Sequence, residues 1–315
     1  MEYGFGIDLG GTAVKIGYYH SSGKLMDKWE IPTNTENNGQ NILRDIARSV
    51  EGYMTARGIA RDQILGLGIG VPGPVDSRGN VNRCVNLGWG VFNVEEELSR
   101  LTGFPVKAAN DANVAALGEC WQGAGKGGTN VVMLTLGTGV GGAVILEGKI
   151  LPGAHGAAGE VGHMVMDPEE KEPCSCGKYG CAEQYCSATG ILRLAKRYLK
   201  FSFDPSVLRK TEPLTCKDIF DAAREGDQGA KDILEQFFDR LAQLTANVCA
   251  VMNPDTVIIG GGVSKAGDEL LDGLKRHFAN HAFHAVSQVR FVLATLGNDA
   301  GTCGAFRLAQ QSQEK

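Results

Sequence analysis

Three cysteines, Cys174, Cys176 and Cys181, follow the spacing Cys-x-Cys-x4-Cys, with Gly177 and Gly180 allowing tight turns between them. Thiolates set this closely suit zinc, which takes four sulfur or nitrogen ligands in a tetrahedron, so one more ligand is needed. His163, in Glu160-Val161-Gly162-His163, lies eleven residues before Cys174 and can supply it; His155 is the next candidate. Four protein ligands leave no open position for a reactive water, so the ion expected here is structural. A zinc-bound histidine keeps its second ring N–H, fixed in direction, and that N–H can point at a substrate hydroxyl. Glu160 and Glu183 bracket the cysteines. Carboxylates suit sugars, whose hydroxyls must donate as well as accept, and folding around a metal brings both near His163.

A second candidate is Asn110-Asp111-Ala112-Asn113, which follows an apolar strand and precedes a helical stretch. Asp111 then stands at the carboxyl end of a strand, where α/β sites lie; the same position suits a helix N-cap. Asn86 and the Gly73-Pro74 turn are weaker candidates, with a purely structural loop as the alternative.

Phosphate chemistry is written in the glycines. No Gly-Lys pair is followed by Ser or Thr, which excludes a P-loop. Gly-x-Gly-x-x-Gly occurs at Gly68, at Gly123 and at Gly137, but none of the three opens a helix, so a dinucleotide site is discounted. What remains is a hairpin mode, in which bare backbone N–H groups surround phosphate oxygens. Ile7-Asp8-Leu9-Gly10-Gly11-Thr12 is echoed by Leu136-Gly137-Thr138-Gly139-Val140-Gly141, which suggests duplicated domains presenting phosphate loops to a shared cleft. Asp8 can hold Mg²⁺ through water, and Lys15 either reaches a phosphate or is a solvated strand residue. Gly260-Gly261-Gly262, between a strand and a helical segment, can accept adenine or ribose.

The elements that must position these residues are read from periodicity. Tyr3–Asp8, Ala13–Tyr19 and Leu25–Ile31 read as strands, with a helix over about Gln40–Arg57 and a buried strand over Ile64–Val71. Asn93 with Glu96 has the form of a capping box opening a helix through Leu101, followed by the Val106–Asn110 strand. Helices are expected near Ala188–Leu199, Cys216–Ala223, Gly229–Met252 and Leu270–Asn280, and strands at Thr256–Ile259 and Val289–Ala294. Residues 201–214 read as an irregular polar insertion. Gly makes up 44 of 315 residues, about twice the usual share of about 7%, and the glycines read as turns between apolar runs. The run Gly123–Gly128 reads as a connector.

Composition sets the outer bounds. A chain of 315 residues exceeds what one core usually supports. Two domains are expected: residues 1–121, joined by 302–315, and residues 122–301. The net charge of −5, with no basic run, argues against a nucleic-acid surface. Met1–Asp8 lacks a signal-peptide pattern, and Val131–Leu146, broken by glycines, is too short for a membrane span, so a cytoplasmic protein is expected. Nine cysteines are an odd count that suits a reducing compartment better than a disulfide framework.

Taken together, these motifs resemble the ROK (repressor, open reading frame, kinase) family, and within it the glucokinase-type members. The resemblance runs from Asp8-Leu9-Gly10-Gly11-Thr12 through Val71-Pro72-Gly73, Asn110-Asp111-Ala112-Asn113, Gly137-Thr138-Gly139, Glu160-Val161-Gly162-His163 and the cysteines to Gly260-Gly261-Gly262. It implies an α/β, actin-like ATPase (ribonuclease H-like) fold of two lobes with a cleft between them, ATP with Mg²⁺, and phosphoryl transfer to a hexose. By the family pattern Asp111 is the catalytic base, and Asn86, Asn110, Glu160, His163 and Glu183 contact the sugar. His163, Cys174, Cys176 and Cys181 bind zinc. Cys186 departs from the pattern, where a small residue such as alanine is usual. The form of the cysteine loop favours glucose over N-acetylmannosamine, N-acetylglucosamine, fructose or allose, and a homodimer or homotetramer is expected. The family's repressors carry a winged helix before the first phosphate loop, for which Asp8 leaves no room.

Overall fold

Ile64–Val71 is buried along its whole length, as befits a strand covered on both faces, and it is an inner strand of the first sheet. The computed structural model describes residues 2–314; Met1 and Lys315, which end two of the expected ranges, lie outside them. In chain order the first part reads β1 (Tyr3–Leu9), β2 (Ala13–His20), β3 (Leu25–Pro32), α1 (Glu36–Gly39), α2 (Ile42–Arg57), β4 (Ile64–Val71), β5 (Asn80–Val81), β6 (Phe92–Asn93), α3 (Val94–Thr102), β7 (Val106–Asn110) and α4 (Asp111–Gln122). The second reads β8 (Val131–Leu136), β9 (Val140–Leu146), β10 (Lys149–Ile150), α5 (Glu183–Cys186), α6 (Ala188–Phe201), α7 (Cys216–Arg224), α8 (Gln228–Met252), β11 (Thr256–Gly260), α9 (Asp268–His281), β12 (Arg290–Leu293) and α10 (Ala300–Gln311).

The sheets run β3-β2-β1-β4-β7 and β10-β9-β8-β11-β12. In the first, β1 and β3 are antiparallel to β2, whereas β4 is parallel to β1 and β7. In the second, β11 is parallel to β8 and β12. The repeated strand order bears out the duplication inferred from the two glycine turns. The chain divides into two compact units: Met1–Thr129 with Ala143–Ala158 and Thr295–Lys315, and Asn130–Gly142 with Gly159–Ala294. No helix among the described residues is long and apolar enough to cross a membrane.

In the first unit, Phe5, Ile7, Ile16, Leu67 and Ile69 pack under Ile46, Val94 and Leu98 of α2 and α3, and Trp29 stacks on Tyr53 at 4.2 Å. The edge strand β3 alternates half-buried and exposed residues. In the second unit, α8 buries Ile233, Phe237, Leu241 and Leu244, with Phe220, Phe237 and Phe238 in mutual ring contact.

Three expectations are corrected. Glycines are not confined to turns: Gly4, Gly6, Gly66, Gly68 and Gly70 lie within β1 and β4. Gly4, Gly6 and Gly68 are there because α10 lies directly on them, whereas Gly66 faces Pro105 and Gly70 faces Val114 of α4. A Cβ at Gly6 would stand 1.8 Å from the Thr302 carbonyl oxygen, and one at Gly68 1.6 Å from that of Ala305. The sequence patterning assigned no helix to 300–311, since the buried face of α10 is mostly small: Ala300, Gly301, Thr302, Cys303, Gly304 and Ala305. Residues 201–214 are not wholly irregular, for Val207–Lys210 is a 3₁₀ turn that buries Leu208. Asn93 does cap α3 by accepting from Glu96 N–H at 3.0 Å.

Where α10 crosses α4, a Cβ at Gly304 would lie 1.6 Å from the Val114 carbonyl oxygen. Gly304→Ala gains about 1 kcal/mol of helix propensity, but overpacking costs about 1–3 kcal/mol, and this overlap is with backbone that cannot swing aside. The variant should melt several degrees lower by calorimetry, although alanine is the better helix former.

Candidate active site

Strand register assembles the first half of the site. Asp8 on β1 pairs with Gly70 on β4, which pairs with Ala109 on β7, and Val71 pairs with Asn110. Parallel strands in this register end together, so Asp8, Gly73, Asn110 and Asp111 come to one end of the sheet. Asp8 faces Lys15 across the β1–β2 hairpin, with Nζ 3.8 Å from Oδ2. Burial pushes the Asp8 carboxyl above its ordinary range, and Lys15 offsets this only in part. The turn between the two strands is pinned by Gly10 N–H on the Ala13 carbonyl at 3.0 Å and by the Thr33 hydroxyl on the Gly10 carbonyl at 2.7 Å. Gly11 and Thr12 are exposed, and a Cβ on Gly11 would meet nothing within 4 Å. The bare backbone of this turn therefore faces open space.

Asp111 is not the helix cap. Asn110 caps α4, accepting from Ala112 N–H at 2.9 Å and Asn113 N–H at 3.3 Å, and its amide donates to the Gly73 carbonyl at 3.3 Å. Asp111, the first residue of α4, accepts from Ala112 N–H at 2.8 Å through Oδ1. Burial raises its pKa; the Ala112 N–H works against that, and the charge of Asp8 adds to it. Asn86 is exposed in the 3₁₀ turn Val85–Leu87.

The second unit holds the four candidate metal ligands. The ligand atoms of His163, Cys174, Cys176 and Cys181 all lie within 4.8 Å of one another, so His163, not His155, completes the set. The Cys176 and Cys181 sulfurs are 3.7 Å apart. That is far from a disulfide bond, and it matches the edge of about 3.8 Å in a tetrahedron of Zn–S bonds of about 2.3 Å. His163 Nδ1 is 4.0 Å from the Cys174 sulfur. The four residues fit zinc.

Glu183 links the cysteine loop to the second glycine turn. Its Oε1 accepts from the Ser175 hydroxyl at 2.6 Å and lies 3.6 Å from the Cys174 sulfur, while Oε2 accepts from Val140 N–H at 3.1 Å. A Cβ at Gly139 would stand 2.2 Å from that oxygen, so a side chain there would push the Glu183 carboxylate out of this contact. Gly137 receives Ala188 N–H at 2.8 Å and Thr138 the Thr189 hydroxyl at 2.7 Å, which fixes the turn against the start of α6. Glu160 is exposed just before the 3₁₀ turn Val161–His163.

A model of the ROK family matches residues 4–312. The chain belongs to the ROK family. It is 41% identical over 318 residues to a glucokinase of Halalkalibacterium halodurans, covering 98% of this chain and 95% of that relative. It is 36% identical to a glucokinase of Thermotoga maritima, covering 97% and 96%. A solved ROK family glucokinase from Streptomyces griseus, in complex with glucose and AMPPNP, matches with a TM-score of 0.72 and 32% identity over 98% of this chain and 99% of that one. The two five-stranded sheets of this ROK chain are thus those of an actin-like ATPase fold.

One cavity of this ROK chain was not legible in the sequence. Beside Gly262, a cavity of about 240 Å³ is lined by Ala188, Cys216, Phe220, Arg224, Val263 and Lys265. These residues come from α6, α7 and the turn after β11, and nothing in their spacing announces that they converge. Gly260 and Gly261 are held from behind: a Cβ on Gly260 would lie 2.8 Å from Met133 Cε, and one on Gly261 2.5 Å from the Leu136 carbonyl oxygen, whereas Gly262 is open.

Proposed function

We propose that this chain transfers the γ-phosphoryl group of ATP to a hexose, glucose at its 6-hydroxyl. The observation that carries the reading is Asp111: a desolvated carboxylate at the end of β7, relieved of capping duty by Asn110 and made more basic by its surroundings. Full-length similarity to glucokinases supports glucose as the acceptor. Phosphoryl transfer asks a protein chiefly for positioning and charge stabilisation. In this reading Asp111 accepts the hydroxyl proton, while Gly73, Asn86, Asn110, Glu160, His163 and Glu183 hold the sugar. Gly10–Thr12, Lys15 and Gly137–Gly139 surround the phosphates, and Gly260–Gly262 with the cavity beside them take the adenosine. Asp8 would hold, through water, the Mg²⁺ that neutralises phosphate charge. Coupled-assay turnover against a hexose panel tests the acceptor: kcat/KM should be highest for glucose, and a higher value for N-acetylmannosamine or N-acetylglucosamine would displace it.

Asp111→Asn keeps the shape and loses the base, so turnover should fall by about 10²–10⁴-fold with glucose binding largely kept. The same variant carries a stability signature. Folding raises the Asp111 pKa above 3.8, so its favourable contribution is full below that value and is lost as pH rises through the folded-state pKa. Asparagine escapes the neutral-pH penalty of a buried charge. The Tm of the variant relative to wild type should therefore climb from acid to neutral pH, as calorimetry at several pH values would show.

Zinc on His163, Cys174, Cys176 and Cys181 would be structural in this reading, holding the cysteine loop that carries Glu183. Cys176→Ser should lower zinc content by elemental analysis and weaken glucose binding most. Because Glu183 also accepts from Val140 N–H, the KM for ATP should rise as well, by a smaller factor. A zinc-free variant that binds glucose normally would remove this role.

A further inference from the structure

Asn86 stands at the tip of a loop whose base is closed by two backbone hydrogen bonds: Cys84 N–H to the Trp89 carbonyl at 3.1 Å, and Trp89 N–H to the Cys84 carbonyl at 3.0 Å. Both closing residues are buried, whereas Val85, Asn86 and Gly88 between them are exposed. One end of the clasp is tied to the catalytic side. The Cys84 thiol donates to the Pro72 carbonyl at 2.8 Å, and Gly73 lies so close to Cys84 that an added Cβ would meet its Cβ at 3.4 Å. Gly73 in turn receives the Asn110 amide. Burial holds the Cys84 thiol above its usual range, and the charge of Asp111 pushes the same way.

The other end is tied to an unusual turn. Asn37, Asn38 and Gly39 all have left-handed backbone, with φ of 50°, 58° and 64°. Such a conformation costs energy in asparagine and persists only where the surroundings dictate it. Here they do: the Trp89 indole N–H donates to the Gly39 carbonyl at 3.1 Å. A Cβ on Gly39 would sit 2.6 Å from the Leu87 carbonyl oxygen, and one on Gly88 2.8 Å from Asn38 Cα. The two loops interlock backbone to backbone, and the indole N–H is the side-chain bond between them.

We propose that Trp89 is a positioning residue for the sugar: by joining the Cys84–Trp89 clasp to the Asn37–Gly39 turn, it fixes Asn86 relative to Asp111. This rests on Asn86 being a sugar contact, as the proposed function has it. The indole N–H touches no substrate; its effect passes through the loop. Loss of that bond lets the tip wander, so the hexose is bound less well while ATP contacts are untouched.

The test is a double-mutant cycle in steady-state kinetics. Trp89→Phe keeps an aromatic ring against Phe92 and deletes only the N–H; the hexose KM should rise by about tenfold, the scale of one buried hydrogen bond, with the KM for ATP unchanged. In an Asn86→Ala background the same change should add less than about twofold, because residues that act through one another are non-additive. Cys84→Ala, which cuts the other anchor, should show the same pattern and stands in should Trp89→Phe fail to fold. Multiplying effects, an equal rise in the ATP KM, or an Asn86→Ala variant with unchanged hexose KM would each overturn the positioning role while leaving the kinase reading intact. Wild-type turnover is measured first. Its absence on glucose overturns the acceptor, and the cycle is then read on the hexose that is phosphorylated.

Discussion

Helix α10 lies with its backbone on the glycines of β1, β4 and α4, and the geometry of the first unit follows from that contact. Side chains at Gly6, Gly68 or Gly304 would overlap carbonyl oxygens at 1.6–1.8 Å, so helix and sheet approach as two bare backbones. The buried carboxylate of Glu119 helps to hold this approach, accepting from Thr295 N–H at 2.9 Å and Leu296 N–H at 2.7 Å just before α10 begins. Its burial is tolerated because its oxygens are bonded. With β1, β4 and β7 fixed in parallel register, their ends deliver Asp8, Gly73 and Asn110 together. Gly301 belongs to the same arrangement, since a Cβ there would stand 2.7 Å from Asp8 Cγ.

The same packing imposes a cost at the site. Asp8 and Asp111 are both partly withdrawn from water, and both have raised pKa values for that reason first. A domain designed only for stability would neutralise them. Two partly desolvated carboxylates near one another are the kind of local penalty that functional sites carry.

In the second unit, one side chain does several jobs. Glu183 touches the cysteine loop through one oxygen and the Gly137–Gly139 turn through the other, so the order of the cysteine loop and the shape of a glycine turn are mechanically joined. The clasp at Cys84–Trp89 makes a comparable double link in the first unit, joining the Pro72–Gly73 turn through the Cys84 thiol to the Asn37–Gly39 turn through the Trp89 indole.

Chemistry that depends on residue type and short spacing was written in the sequence. The cysteine spacing with His163, the paired glycine turns, Asp111 at a strand end and the ROK resemblance all follow from local pattern, because zinc ligation and tight turns are decided within a few residues. Most strands and helices were legible too, their apolar periods being strong. Tertiary structure alone decided the rest. Whether Asp111 caps α4 or is free depended on Asn110 taking that role. Why so many glycines sit inside strands depended on α10, whose small buried face carries too few large apolar residues to announce a helix. The lining of the cavity at Gly262, the double contact of Glu183 and the link from Trp89 to Gly39 join residues far apart in the chain: Ala188 with Val263 in the cavity, 43 positions between Glu183 and Val140, and 50 between Trp89 and Gly39. No local propensity encodes such meetings; they exist only once packing has brought the segments together.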